Sequence, residues 1–567
     1  MVNLRRALVG LLLLALVVFA WMWLTRPRKV DMAAYAPADS ILYAEAESLP
    51  EVFDAFASTD AWRELAPAAG VDARPAWAGW LPSFLSFTGL GPSDAVVISR
   101  AQVAVSVLGF QASEESDTTL KLTPRAALVA ETQTSGWRVR SAVEKLVGDF
   151  ARRTFREASF ERKEVDGVPF YQWAETSGSR RKVVAAVEGS VAVVGNDEAA
   201  VRACLDVRRG ARPSLAGDAG LGEMRARLGG AGALAFAYAP RGSAAKVVEV
   251  YAPAFVGGVV EEPHLQSAAA TLLPQLVSRV LGAAGWSARV AGGQVEDRYF
   301  VALSEGVSDR LAAPLAPPER TGEGGAALLP ADTYQVTFYN FRSPENAWRG
   351  LNAAVSSQVD VSIAALITRA FEGLAQPYGV ENPREFLRAC GSELATARLE
   401  AESEGKVLVA SVRERAALRE QALAYLGRGA RAERAEDVEL LVSRDPERGA
   451  AAFAGDFLLT GSEADVRRCL AARAAGHTLR DAPSLKGAPR DFAEGPAPAR
   501  SLTDDTEAAR AVLSRLGRPP NPAALEAALA RHSHSASETR LVEGGFEKRT
   551  RSAFGLFGDL YTRLTPR

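Results

Sequence analysis

A stretch that occurs twice sets the terms for the fold. From Gly189 the chain reads GSVAVVGNDEAAVRACL, and from Gly455 it reads GDFLLTGSEADVRRCL. With one gap, Gly189, Gly195, Glu198, Ala199, Val201, Arg202, Cys204 and Leu205 match Gly455, Gly461, Glu463, Ala464, Val466, Arg467, Cys469 and Leu470. Such self-similarity is the signature of a duplicated unit. Each copy predicts strand, turn, helix. The β-branched runs Val183–Val187 and Val191–Val194 flank Glu188-Gly189, which suits a tight hairpin. Asn196 or Asp197 can cap the helix that follows, and Ser462 does so in the second copy. On that helix Val201, Cys204 and Leu205 share a face, as do Val466, Cys469 and Leu470. Arg202 and Arg467 point elsewhere. No phosphate-loop pattern accompanies the glycines, so the motif reads as structural. Cys204 and Cys469 read as small buried apolar residues.

The duplication extends along the chain. PADSILYAEAESLPEVFDAF from Pro37 answers PADTYQVTFYNFRSPENAWRGL from Pro330. Ser48 with Glu51, and Ser343 with Pro344, predict helix starts after a strand. Strands are expected near Val96–Ile98, Val103–Leu108 and Ala126–Ala130, then a helix over 139–153; the second copy echoes them at Leu394–Leu399, Val407–Ala410 and a helix over 413–426. VDGVPFYQWAE predicts a hairpin turned at Asp166-Gly167. SLAGDAG at Ser214 is matched to SLKGAPR at Ser484. The copies close on hairpins around Gly292-Gly293 and Gly544-Gly545. Matched positions lie 293 apart at Pro37/Pro330 and 252 apart at Gly292/Gly544, so the second copy is shorter but keeps the order of elements.

The first thirty residues make a separate statement. Ala7 to Leu24 (ALVGLLLLALVVFAWMWL) carry no charge. At ~1.5 Å per residue a helix over this run spans about 27 Å, enough to cross a hydrocarbon core. Trp21 and Trp23 sit where an interfacial aromatic belt would lie. Arg5 and Arg6 precede the run, and Arg26, Arg28 and Lys29 follow it, so charge alone does not set orientation. With no small-x-small cleavage site directly after it, the run reads as an uncleaved signal anchor. This predicts a single-pass protein of the inner (cytoplasmic) membrane with its bulk extracytoplasmic. The expected layout is an anchor over 1–30, a first repeat over 31–311, a Pro/Gly/Ala-rich linker over 312–327 and a shorter second repeat over 328–567. Strands in hairpins, alternating irregularly with helices, predict an α+β fold. In it the N-terminal transmembrane helix is followed by two homologous domains, each a mostly antiparallel sheet with helices packed on one face.

Several side chains invite a chemical reading. Asp39 and Asp332 read as turn residues bonding their own backbone. Glu114, Glu115 and Asp117 lie in QASEESDTT (111–119), which reads as a solvated hairpin loop rather than a calcium loop. His532 and His534 lack further ligands at metal spacing and read as an exposed pair. Trp77, Trp80, Phe84 and Phe87 read as packing over the core, with a partner surface as the alternative. A formal net charge of −2 offers no field for nucleic acid. Three cysteines without a close pair form neither a disulfide framework nor a zinc site. No H-E-x-x-H, G-x-S-x-G or C-x-x-C occurs in a credible context. The sequence assigns no catalytic, cofactor-binding or metal-ligating residue, and no cofactor.

The PAD-[ST] opening, the G-x-[LV]-x-[LVT]-G-x-[DE]-A-x-[VL]-R-x-x-L run and the SLxG phrase resemble a bacterial domain-of-unknown-function family of membrane-anchored envelope proteins. The resemblance implies an envelope location and carries no established catalytic residue. The expected function is therefore a non-enzymatic binding or scaffold module, held at the membrane and presenting a surface to an envelope protein, peptide or polymer. The alternative is a lipid or amphiphile carrier or sensor. A hydrolase built from scattered Asp, Glu and Ser is the third expectation; a deep pocket with converging carboxylates of perturbed pKa would favour it.

Overall fold

The computed structural model describes residues 29–564 apart from 47, 71–96, 117–118, 177–180, 230–232, 258–262, 320–321, 374, 403–404, 428, 436, 488–495, 517–520 and 533. The apolar run Ala7–Leu24 and the aromatic segment with Trp77, Trp80, Phe84 and Phe87 lie outside the described residues. Among those described, no helix is long and apolar enough to cross a membrane. The chain divides into two compact units, one of residues 1–51 and 80–218, the other of 52–79 and 219–567. The division falls at 218/219 and not in the 312–327 linker.

The first unit holds β1 (Leu42–Ala46), β2 (Gln102–Ser116), β3 (Thr119–Glu131), β4 (Ala158–Val165), β5 (Val168–Glu175), β6 (Lys182–Glu188) and β7 (Val191–Gly195). All pairings are antiparallel, in the order β1-β2-β3-β7-β6-β5-β4. The Asp166-Gly167 turn forms as the sequence predicts: Val165 faces Val168 and both turn residues take positive φ, +52° and +75°. Glu114 and Ser116 pair with Leu120 and Thr119, so part of the expected acidic loop is strand. The turn between β6 and β7 is Gly189-Ser190, one residue later than expected, because Glu188 is still paired with Val191. Residues 97–100 are helical and not a strand; the preceding Pro92-Ser93-Asp94 is itself a helix-start phrase.

The second unit holds β8 (Ala235–Ala239), β9 (Leu281–Ala291), β10 (Gln294–Leu303), β11 (Gln335–Asn340), β12 (Cys390–Arg398), β13 (Val407–Val412), β14 (Arg431–Ala435), β15 (Val438–Val442), β16 (Ala450–Ala454), β17 (Phe457–Gly461), β18 (Ala499–Asp504), β19 (His534–Val542) and β20 (Gly545–Ser552). They form one continuous antiparallel sheet, ordered β8-β9-β10-β20-β19-β18-β11-β12-β13-β17-β16-β15-β14. Within it, β11-β12-β13-β17-β16-β15-β14 repeats the order found in the first unit.

This corrects the expected fold class in two respects. The sheet does not stop between sequence repeats: β10, which ends the first, pairs with β20, which ends the second, over eight residues from Val295↔Ser552 to Ala302↔Gly545. Nor do helices cover one face alone. Val407 and Val409 of β13 join a core with Val466 and Cys469 of the helix Glu463–Ala475. Leu408 and Ala410 point the other way, into a core with Leu418 and Ala422 of the helix Arg415–Leu426. Successive residues on a strand face opposite sides, so the run Val407-Leu408-Val409-Ala410 is apolar throughout because both sides are buried.

The signature helices pack as their spacing predicts. Val201, Cys204 and Leu205 are buried in the helix Glu198–Arg208, as are Val466 and Cys469 in theirs. Ser462 accepts from the Asp465 amide at 3.1 Å, an N-cap. In the first copy, Asp197 instead pairs with Arg125 at 3.0 Å, and Asn196 accepts from the Ala126 amide. Arg202 and Arg467 bind Glu198 and Glu463 one turn earlier. Asp39 and Asp332 bind Arg212 and Arg468 and do not bond their own backbone; Ser40 and Thr333 hydroxyls close those turns on Pro37 and Pro330 carbonyls. Bridges Pro37↔Ser214 and Pro330↔Thr478 show that Ser214 corresponds to Thr478, six residues before the Ser484 match. Likewise Leu215 and Leu479 donate to the carbonyls of Ala36 and Leu329, each at 2.8 Å.

All three cysteines are free and buried. Burial pushes each thiol up to about 12, far from the thiolate needed for reaction. The native chain at pH 8 should therefore resist maleimide labelling, and guanidinium-unfolded chain should take up three labels by mass. Fast native labelling of any cysteine would contradict the packing.

Candidate functional site

The two faces of the β10–β20 seam carry different chemistry. Along β10 the side chains alternate, with Glu296, Arg298 and Phe300 on one face and Val295, Asp297 and Tyr299 on the other. On the first face Glu296 is fully buried, at 0% exposure. It accepts from Arg289 Nε at 2.9 Å and from Arg551 Nε at 3.0 Å. Burial alone would raise its pKa, but the two guanidinium groups hold it below the usual carboxylate range. Glu547 is served by Arg549 and by Arg298 at 3.3 Å, and Glu538 by Arg540 at 2.9 Å. Each acid on this face has its base.

The opposite face is polar without that compensation. Cross-strand register places Asp297 beside Thr550, Thr550 beside Ser537, and Ser537 beside Ser501. Ser537 and Thr550 hydroxyls lie 2.9 Å apart, as do those of Thr337 and Ser501. The helices Thr506–Leu516 and Gly555–Leu564 bound a cavity of about 240 Å3 over this face, lined by Asp297, Tyr299, Asp505, Ser535, Ser537, Lys548, Thr550 and Asp559 among others.

Asp297 is 2% exposed. Trp286 Nε1 donates to its Oδ1 at 2.9 Å, and the Leu556 amide, in the first turn of the last helix, donates to Oδ2 at 3.0 Å. It thus tethers that helix to the sheet by its N-terminus, where the backbone presents free N–H groups. Burial nonetheless pushes its carboxyl up to about 6; those two hydrogen bonds oppose the rise, while Asp559 and Glu296 add to it. Asp505 is likewise pushed up to about 6 by burial, opposed by a Ser535 hydrogen bond and reinforced by Asp504 and Asp559. Burial also raises the Tyr299 phenol, with Asp297 and Asp559 adding. Among the described residues, no Lys, Arg or His forms an ion pair with Asp297, Asp505 or Asp559, and Lys548 makes none either.

A larger cavity of about 630 Å3 lies elsewhere in this unit. Leu315, Pro317, Pro496, Pro498 and Leu541 give it an apolar wall, while Glu538–Arg540 and Glu547–Arg549 form a floor of internally neutralised pairs.

None of the residues singled out in the sequence lines the smaller cavity. His532 binds Glu64 at 3.1 Å, and His534 is the first residue of β19, its pKa lowered by burial, so the two are not an exposed pair. Among the described residues, no group of three His, Cys, Asp or Glu is placed to hold a metal ion. Asp504-Asp505 before a helix carries only a capping signal, and the Asp504 carboxylate does accept from the Thr506 amide at 2.8 Å. Asp297 lies in the charged run QVEDRYF, where nothing separates it from Glu296.

The two faces predict opposite mutational effects. Glu296→Gln leaves two guanidinium groups short of their partner and should cost about 3 kcal/mol in chemical denaturation. Asp505→Asn should stabilise the chain at pH 7.5, on the order of 1–3 kcal/mol. Its folded pKa is raised, so the folded state gains protons first: stability from this group is full below the unfolded value near 3.8 and is lost as pH rises through about 6. The stabilisation by Asp505→Asn should therefore shrink as pH falls from 7.5 to 5. A destabilised Asp505→Asn at pH 7.5 would refute the uncompensated burial.

Compared with known proteins, the chain matches no family model, no curated sequence and no solved structure.

Proposed function

We propose that this chain is a membrane-tethered, extracytoplasmic binding protein, built from two copies of one module, whose ligand site is the cavity beside Asp505 and Asp559. The observation that carries the reading is three carboxylates lining one cavity with no cation paired to them. Of these Asp297 is buried and Asp505 half-buried, and burial raises both carboxyls; perturbed acids that line a cavity are commonly functional. A binding role is favoured over hydrolysis because both oxygens of Asp297 already accept hydrogen bonds from Trp286 and Leu556. The hydrolytic alternative draws on Asp505, whose carboxyl near 6 has the protonation range of a general acid at neutral pH. Tethering is supported by Ala7–Leu24, and the two-copy reading by the shared strand order.

A second binding reading, for an amphiphile, draws on the apolar wall of the larger cavity. One experiment separates the two. Full-length chain is extracted from native membranes and examined by native mass spectrometry. A small adduct, lost in Ala508→Trp at the mouth of the smaller cavity and retained in Leu541→Asp, is expected. A lipid-mass adduct lost only in Leu541→Asp would transfer the function to the larger cavity. No adduct in any preparation would remove the ligand-binding reading. Protease protection in sealed spheroplasts tests the tether, with cleavage of the bulk from outside as the expected result.

A further inference from the structure

The first unit carries its most exposed aromatic side chain at the end where the chain enters it. Val30 is fixed there twice: its amide donates to Gln102 Oε1 at 2.9 Å, and its carbonyl accepts from Gln102 Nε2 at 3.0 Å. Gln102 opens β2 and pairs with Glu131, the last residue of β3. Beyond Glu131 the Thr132 hydroxyl donates to the Ser190 carbonyl at 2.8 Å. The helix Gly136–Thr154 begins against the same turn, where a Cβ on Gly136 would stand 2.8 Å from the Gly189 carbonyl oxygen. Val139 and Val143 bury that helix in a core with Ala185 and Val187. Trp137 projects from its first turn at 61% exposure, the largest among the described bulky apolar residues, with the Arg138 guanidinium 5.2 Å from its ring centre.

We infer that this end of the first unit rests on the bilayer that holds the anchor, with the Trp137 indole seated among the lipid headgroups. The inference rests on the tether reading and adds to it a contact surface and an orientation. Length is the first observation that selects a membrane as the occupant. Val30 stands six residues (30 − 24) beyond Leu24, the last residue of the apolar run, and six residues reach about 20 Å at full extension. The headgroup layer takes up roughly 5–8 Å of that. β4 alone, with eight residues, runs roughly 26 Å from this end of the sheet to the far one. The tether is shorter than the unit it holds, so the Val30 end is the one that faces the bilayer.

Chemistry is the second. An indole has an apolar body and one N–H donor, which suits the headgroup level better than water or hydrocarbon. Lys29, Arg138 and Arg209 are exposed at this end, and Arg26 and Arg28 lie in the tether; all are cations that attract lipid phosphates. Asp31 and Asp166 are exposed at the same end and offset part of that charge, so the indole is the contact to remove.

The test places a fluorescent label on the full chain in vesicles of phosphatidylethanolamine and phosphatidylglycerol doped with a headgroup-nitroxide lipid. The native cysteines are buried, so one introduced cysteine takes the label. Ser135→Cys puts it beside Trp137, at an exposed helix start whose side chain makes no capping bond. Ala158→Cys puts it on the exposed first residue of β4, at the far end of the sheet. The expected result is quenching at least twofold stronger at 135 than at 158, falling to the level at 158 when Trp137→Ala is added to Ser135→Cys. A matching circular dichroism melt shows that each variant folds. Equal quenching at the two positions, or unchanged quenching at 135 in folded Trp137→Ala, would overturn the inference. Flotation after an alkaline wash reads the tether separately. Chain that floats with the vesicles but shows equal quenching loses the docked surface and keeps the anchor, whereas chain that washes off loses both.

Discussion

The β10–β20 ladder is the interaction on which the rest of the second unit depends. Its eight residue pairs join two strands about 250 positions apart in sequence, and without it the sheet would end in two open edges. An open edge is a row of unpaired amides and carbonyls, prone to pairing with other chains. Here each edge satisfies the other. The ladder is locked on one side by Glu296, whose two guanidinium partners come from β9 and β20, the strands on either side of β10. The ion pair is therefore placed where it fixes register: a slip of one residue would carry Glu296 to the opposite face, away from both arginines.

The register of the seam also reveals a local two-fold relation. The hairpins turn at Gly292-Gly293 and at Glu543-Gly544, since Val542 still pairs with Gly545. The true correspondence is thus one residue off the Gly292/Gly544 match made from sequence. In that register Arg289, Glu296 and Arg298 answer Arg540, Glu547 and Arg549, and Arg298 lies opposite Arg549 at the centre of the ladder. Two equivalent strands pairing antiparallel about their midpoint is the geometry of an isologous interface, here enclosed within one chain.

Local features of this fold were legible in sequence, and long-range ones were not. The Asp166-Gly167 hairpin, the Ser343 and Ser462 caps and the Val/Cys/Leu stripes follow from neighbours within a few residues, and all are present. The seam depends on partners about 250 residues apart and leaves no mark in either segment. Two-sided burial did leave a mark: Val183–Val187 and Val407–Ala410 are unbroken apolar runs where a one-sided strand would alternate. The histidines and the Asp39/Asp332 pair drew attention as residue types, yet they serve turns, helix ends and ion pairs. Asp297, Asp505 and Asp559 went unmarked because no two share a segment. What distinguishes them is the lack of an arginine, which only the fold can show.

The seam explains why the cavity occurs where it does. Under the proposed duplication, the inner face of the ladder carries Arg, Glu and Arg at corresponding positions of both hairpins, although the ion pairs differ: Glu296 pairs with Arg289 and Arg551, Glu547 with Arg298 and Arg549. The outer face differs between the hairpins in residue type. There the corresponding residues are Asp297 and Lys548, Tyr299 and Thr550, Trp286 and Ser537, and they stand side by side across the strands. Two identical strands would have set like residues symmetrically about the ladder centre, placing two aspartates close on one surface at a repulsive cost. Replacing one of them with lysine relieves that repulsion without supplying an ion pair, because Lys548 does not reach Asp297. The cavity thus lies on the face of the seam where corresponding residues of the two hairpins differ most in chemistry.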